Sequence, residues 1–106
     1  MAATRSSFWF VYLARCGDGS LYTGVARDVD ARLALHAAGK GARYTRGRGP
    51  IALAAKTRCA CQGDALRLEL AIKALDRARK ERLVARRRDL LAFARAVRVR
   101  AATARD

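Results

Sequence analysis

Acid is what this sequence has least of among its charged residues. Nine aspartates and glutamates stand against 23 lysines and arginines, a formal net charge of +14 over 106 residues. With so few carboxylates, a site built on paired acids has little to draw on. Cysteine is also sparse: Cys16, Cys59 and Cys61 are few and odd in number, which argues against a disulfide framework. Adding His36 would give four zinc ligands, but the spacing lacks the paired knuckles of structural zinc sites. Cys16 and one of the other two therefore read as small buried hydrophobes. No apolar run approaches the ~20 residues of a membrane span. The opening MAATRSSFWF is too short and wrongly ordered for a secretory signal, so a cytoplasmic location is expected.

What is present is a chain of one-domain length, able to bury roughly 60 to 70% of its unfolded surface. Hydrophobic residues make up 52%, many of them alanine, so the core is modest. Basic excess on this scale creates a positive field suited to a polyanion, and nucleic acid is the commonest one. Nearly all of that charge is arginine, the better partner for bidentate phosphate contacts. Ribosome-associated or membrane-surface roles are the other classes that such charge allows.

The order of elements is legible. FWFVYLAR (8–15) has the aromatic and β-branched composition of a strand, CGDGS is hairpin chemistry, and SLYTGVA (20–26) returns as a second strand. Asp28 sits where an N-cap belongs, before a helix over 29–38 that carries Val29, Leu33 and Leu35 together with Arg32 and His36. GKGARYTRGRGP (39–50) is a glycine-rich basic loop without the P-loop pattern; its Lys40, Arg43, Arg46 and Arg48 and the ring of Tyr44 suit a nucleic-acid groove. IALAAKTRC (51–59) reads as a third strand. Asp64 is expected to cap a helix over 65–75 with a Leu68–Ile72–Leu75 stripe. Basic helices follow at 77–88 and 90–99, with a frayed end.

Among the scarce acids, Asp18, Asp28, Asp64 and Asp76 are assigned to turns and caps. Glu69 is different: it lies mid-helix between leucines, where an acid must be paired, exposed or functional. From the residues alone its i,i+4 partner Lys73 is the favoured explanation, a pair worth ~0.3–0.5 kcal/mol. The other reading makes Glu69 a ligand for a divalent metal. With no second close carboxylate and no serine partner for the one histidine, a two-metal nuclease and a hydrolase triad both fall away. Tyr12, Tyr22, Arg32, His36 and Glu69 remain. Such a set suits one-metal phosphodiester hydrolysis, with phenols acting on water, a guanidinium on phosphate and one carboxylate on a hard cation.

FVY (10–12) and YTG (22–24) across the CGDGS hairpin, the helix with Arg32 and His36, KGARYTRGRGP and ALRLELAIKALDRARKERLV together resemble the GIY-YIG nuclease domain. The resemblance is closest to its small single-domain bacterial subgroup, the UPF0213-like proteins, and runs from about residue 8 to residue 84. It implies an α+β fold: a small three-stranded antiparallel sheet flanked by helices in the order β-β-α-β-α-α, with one catalytic centre on a concave face. Residues 1–84 form that domain and 85–106 a basic helical extension. It further implies that Tyr12 and Tyr22 are the motif tyrosines, one of them a general base or water-orienting group. Gly24 is the glycine where a side chain would crowd the site. Arg32 contacts the scissile phosphate, His36 assists proton transfer or binds phosphate, and Glu69 ligates magnesium or manganese. Arg27, Lys40, Arg43, Tyr44, Arg46, Arg48 and Lys73 join Gly24 as expected nucleic-acid contacts.

Phe10 and Thr23 depart from the motif glycine and isoleucine without removing a catalytic group, and Ala37 stands where the subgroup often has asparagine. The expectation is a one-metal endonuclease acting on DNA in repair, recombination or processing, with a protein partner or a second binding surface supplying specificity. The alternative is a nucleic-acid-binding module that keeps the fold but cuts poorly or only with a partner; an RNA-directed or ribosome-linked binder rests on charge alone.

Overall fold

The structure is a computed structural model that describes residues 8–41 and 45–104. Arg43 and Tyr44, two of the expected nucleic-acid contacts, lie outside the described residues. The elements are β1 (Trp9–Cys16), β2 (Leu21–Ala26), α1 (Val29–Ala37), β3 (Ile51–Cys59), α2 (Gln62–Lys73), α3 (Arg77–Ala85) and α4 (Arg87–Ala104). The sheet order is β2-β1-β3, with β1 antiparallel to both neighbours. This is the expected three-stranded antiparallel sheet flanked by helices.

The central place of β1 explains its composition. Val11, Tyr12, Leu13 and Ala14 are each at most 1% exposed, because both faces of this strand are covered. Successive side chains point to opposite faces. Val11 and Leu13 pack with Ala65, Leu68, Ile72, Leu83 and Leu90 from the three later helices. Tyr12 and Ala14 pack on the other face with Ala26, Val29 and Leu33. Each large apolar side chain so buried contributes about 1.5–3 kcal/mol before its entropy cost.

Local chemistry sets the boundaries. Asp28 caps α1 by accepting from the Ala31 amide at 3.0 Å, and Asp76 caps α3 by accepting from Arg79 at 2.9 Å. After α1 the Gly39 amide bonds the His36 carbonyl and the Lys40 amide bonds that of Leu35, with Gly39 at φ +76°. That pairing is a Schellman stop, and it requires a residue tolerant of positive φ. At the β1–β2 turn the Asp18 carboxylate accepts from the Ser20 amide and hydroxyl at 3.0 and 2.6 Å.

Two expectations are corrected. Asp64 is not an N-cap: α2 begins at Gln62 behind an extended Cys61 that makes no side-chain cap, and Asp64 lies in the first turn bonded to Arg67. A carboxylate there still meets the positive end of the helix, so the acidic signal was right and the cap three residues off. The basic helices divide differently as well. The third ends at Ala85, Arg86 is extended (φ −134°, ψ 113°), and α4 runs as an unbroken 18-residue helix from Arg87 to Ala104. Its start at Arg87 brings Leu90 fully inside the core beneath β1.

Candidate active site

The β1–β2 register sets Tyr12 opposite Gly24 and Ala14 opposite Tyr22, so both tyrosines rise from one face of the sheet. Tyr12 lies across Gly24: a Cβ added there would come within 2.5 Å of the phenol oxygen. The motif glycine is therefore needed to seat the motif tyrosine. In α1, Val29, Leu33 and His36 follow helical spacing and turn toward this face, with His36 only 7% exposed.

The three rings converge. Tyr22 and His36 are 5.2 Å apart between centroids, Tyr12 and Tyr22 6.1 Å, and Tyr12 and His36 6.3 Å, the pairs inclined by 53–63°. Inside the cluster the Tyr12 hydroxyl is 3.0 Å from His36 Nε2, and His36 Nδ1 is 2.9 Å from Thr45 Oγ1. Tyr12, His36 and Thr45 thus form a buried hydrogen-bonded row.

Charges around the row act on it. Burial, the neighbouring Tyr22 phenol and the Glu69 carboxylate push the Tyr12 hydroxyl well above the ordinary tyrosine range, opposed by Arg32. Burial first, and then the Arg32 guanidinium, hold His36 below its usual value. Both groups are accordingly neutral near pH 7. Arg32 and Glu69, from separate helices, are thus within electrostatic reach of the same phenol. Glu69 is mostly buried, with Lys73 Nζ 3.3 Å from its Oε2.

Other expected contacts lie further out. Lys40 and Arg46 are exposed on the basic loop. Arg48, on the same loop, donates to Asp18 at 2.9 Å and ties it to the hairpin. That hairpin carboxyl is held down to about 2, chiefly by the Ser20 hydroxyl and amide, with Arg48 adding to it. Arg27 stacks over Trp9 at 5.5 Å, a ring that packs on the opposite face, so it is not brought to the tyrosines. The second glutamate, Glu81, forks with Arg15, one of the two bonds measuring 2.7 Å, and is held below the usual carboxylate range by it.

Several residues of this face were not singled out in the sequence. Lys56 and Arg58 on β3 pair with Tyr12 and Phe10, hence share their face, and they stack on Phe10 and Phe8 at 5.4 and 4.3 Å. The alternation K-T-R was the available signal. Thr45 and Gly41 had none, because the basic loop was read for its charges. The cysteines do not gather: Cys16 and Cys59 lie at opposite ends of β1's pairing with β3, and all three thiols are free.

A hairpin and helix that seat one tyrosine over a glycine and gather a second tyrosine and a histidine beside it form a small α+β catalytic-domain architecture. Residues 8–82 match the GIY-YIG catalytic domain, and the chain belongs to that family. It is 51% identical over 75 residues to the UPF0213 protein BH0048 of Halalkalibacterium halodurans, covering 71% of this chain and 80% of the relative. It is 47% identical over 77 residues to a UPF0213 protein of Cronobacter sakazakii, covering 73% and 81%. The solution NMR structure of the UPF0213 protein BH0048 from Bacillus halodurans aligns at 49% identity with a TM-score of 0.49, over 74% of this chain and 83% of that one. The GIY-YIG family is one of endonucleases that generally depend on a divalent metal and bind DNA.

Proposed function

We propose that this protein is a metal-dependent endonuclease that hydrolyses phosphodiester bonds in DNA, in repair, recombination or DNA processing in the cytoplasm. The observation that carries the reading is the Tyr12–His36 hydrogen bond, buried at 3.0 Å, with Arg32 and Glu69 both acting on the same phenol. Folding alone does not call for that convergence.

Among the described residues no group of three or more His, Cys, Asp and Glu side chains is placed to hold an ion. One mostly buried carboxylate fits a hard cation that keeps several waters and completes its shell with phosphate oxygens. Glu69 would hold magnesium or manganese in this way. The ion, when bound, supplies charge neutralisation at the phosphate.

The chain's own groups do the rest. Tyr22 is the half-buried ring of the cluster and orients the attacking water. Tyr12 takes up a proton at its oxygen while passing its own to His36 Nε2, so no free phenolate is required. Arg32 offsets the charge that develops on the phosphate. Lys40, Arg46 and the Lys56–Arg58 pair on β3 line up the backbone of the nucleic acid.

The 3.3 Å Lys73–Glu69 ion pair favours a second reading, a binding module whose acid is already neutralised. Glu69→Gln separates the two. Under the enzyme reading, magnesium-dependent cleavage falls on the order of a hundredfold or more. DNA affinity is retained, since the acid faces metal and not phosphate. Wild-type protein that shows no metal-dependent cleavage, or cuts equally well without Glu69, refutes the nuclease.

A further inference from the structure

The basic loop does more than carry charge: it closes on the imidazole of His36 at two points. Thr45 Oγ1 meets Nδ1 at 2.9 Å, and Thr45 is itself buried at 6% exposure. Gly41 lies against the same ring, so close that an added Cβ would overlap it. No charged group of the loop makes either contact. A solvated phosphate-binding loop has no need to bury a threonine hydroxyl on a histidine, so the two contacts ask for their own explanation.

The chemistry of the three partners gives a direction to the row. A phenol is a far more acidic donor than an aliphatic hydroxyl, and a neutral imidazole has one donor and one acceptor nitrogen. The favoured arrangement has the Tyr12 O–H donating to Nε2 and Nδ1–H donating to Thr45 Oγ1. The reverse would make the phenol an acceptor and the threonine a donor.

We propose that Thr45 is a positioning residue that holds the proton of His36 on Nδ1, keeps Nε2 as the acceptor for the Tyr12 hydroxyl, and so leaves the Tyr12 oxygen free to take a proton from water. The inference rests on the nuclease reading for its catalytic consequence, but not for the placement of the proton. It also gives the loop's position a role: residues that engage phosphate through Lys40 and Arg46 are fastened to the imidazole that receives the proton. Among the described residues, those that face the ring include Tyr12 from β1, Tyr22 from β2 and Thr45 from the loop, with Arg32 of α1 acting on it electrostatically.

His36 is the only histidine, so a long-range proton–nitrogen correlation spectrum of uniformly 15N-labelled protein contains a single imidazole. In wild type at neutral pH the spectrum is expected to show Nδ1 protonated and Nε2 bare. In Thr45→Val, which keeps the shape and removes the acceptor, the proton should move wholly or partly to Nε2. Cleavage of DNA with magnesium should then fall about tenfold, the worth of one such hydrogen bond and of the proton transfer that it directs. Thr45→Ser, retaining the hydroxyl, should keep the wild-type tautomer and most of the rate. A wild-type spectrum with the proton on Nε2 overturns the proposal, as does a folded Thr45→Val with unchanged tautomer and rate. Should the valine variant fail to fold, the wild-type and serine spectra still decide. Wild-type protein that never cuts would refute the nuclease while the imidazole spectrum still reported on Thr45.

Discussion

Gly24 and His36 carry the clearest lessons at the scale of the residue. The glycine is required not by backbone conformation but by the ring of Tyr12 lying across it, a relation visible only once the strands are paired. His36 is buried, neutral and the chain's only histidine, and burial with the Arg32 guanidinium holds it below the ordinary histidine range. Its value is lowered in the folded protein, so as pH falls through the ordinary histidine range the unfolded chain binds the proton first. Folding stability therefore falls as pH is lowered through that range. Urea unfolding at about pH 7 and about pH 5 should give a lower midpoint at the acid end; equal midpoints would contradict a buried neutral imidazole. Asp18 does not confuse the test, because its carboxyl titrates near 2 and stays ionised throughout.

Among elements, α4 departs most from the outline read in the sequence. Residues 85–106 were set apart there as a basic extension beyond the family resemblance. The helix nevertheless sends Leu90, with no exposed surface, into the cluster that also holds Leu13, Leu68 and Ile72. Leu90→Ala is expected to cost about 2–5 kcal/mol by denaturant titration. Leu91→Ala, at a neighbour that is 44% exposed, should change stability by no more than about 0.5 kcal/mol. A small effect of the first would mean that α4 is loosely attached. The strands were easier to foresee, since β-branched and aromatic runs with a CGDGS turn admit few alternatives. Basic helices were harder: in an arginine-rich stretch the apolar stripe is thin, and nothing local marks the extended Arg86 that separates α3 from α4.

For the whole molecule the net charge of +14 governs encounter with a polyanion. Binding to DNA should weaken steeply with salt, the logarithm of affinity falling linearly with the logarithm of salt concentration. Replacing exposed Lys40 or Arg46 by alanine should lower that slope by about one each. Arg27→Ala should change it less, because this side chain stacks on Trp9, which packs on the face away from the tyrosines. Equal slopes for all three variants would show that the field acts without a defined track. No helix among the described residues is long and apolar enough to cross a membrane.

The sequence by itself determined the family and the strand–hairpin–strand–helix order, and it supplied Tyr12, Tyr22, Arg32, His36 and Glu69 as candidates for the site. These are local facts: turn residues, caps and side-chain periodicity act over a few positions, and the motif spacing encodes them directly. Only the tertiary structure decided which groups meet. Antiparallel pairing sets Tyr12 over Gly24, packing of α1 on the sheet lays His36 against that phenol, and α2 brings Glu69 within electrostatic range of it. Closure of the basic loop then adds Thr45, a residue with no charge, ring or motif to announce it. Contacts of this kind depend on register and on burial from both sides of the sheet, which are properties of the assembled core and not of any one stretch of chain.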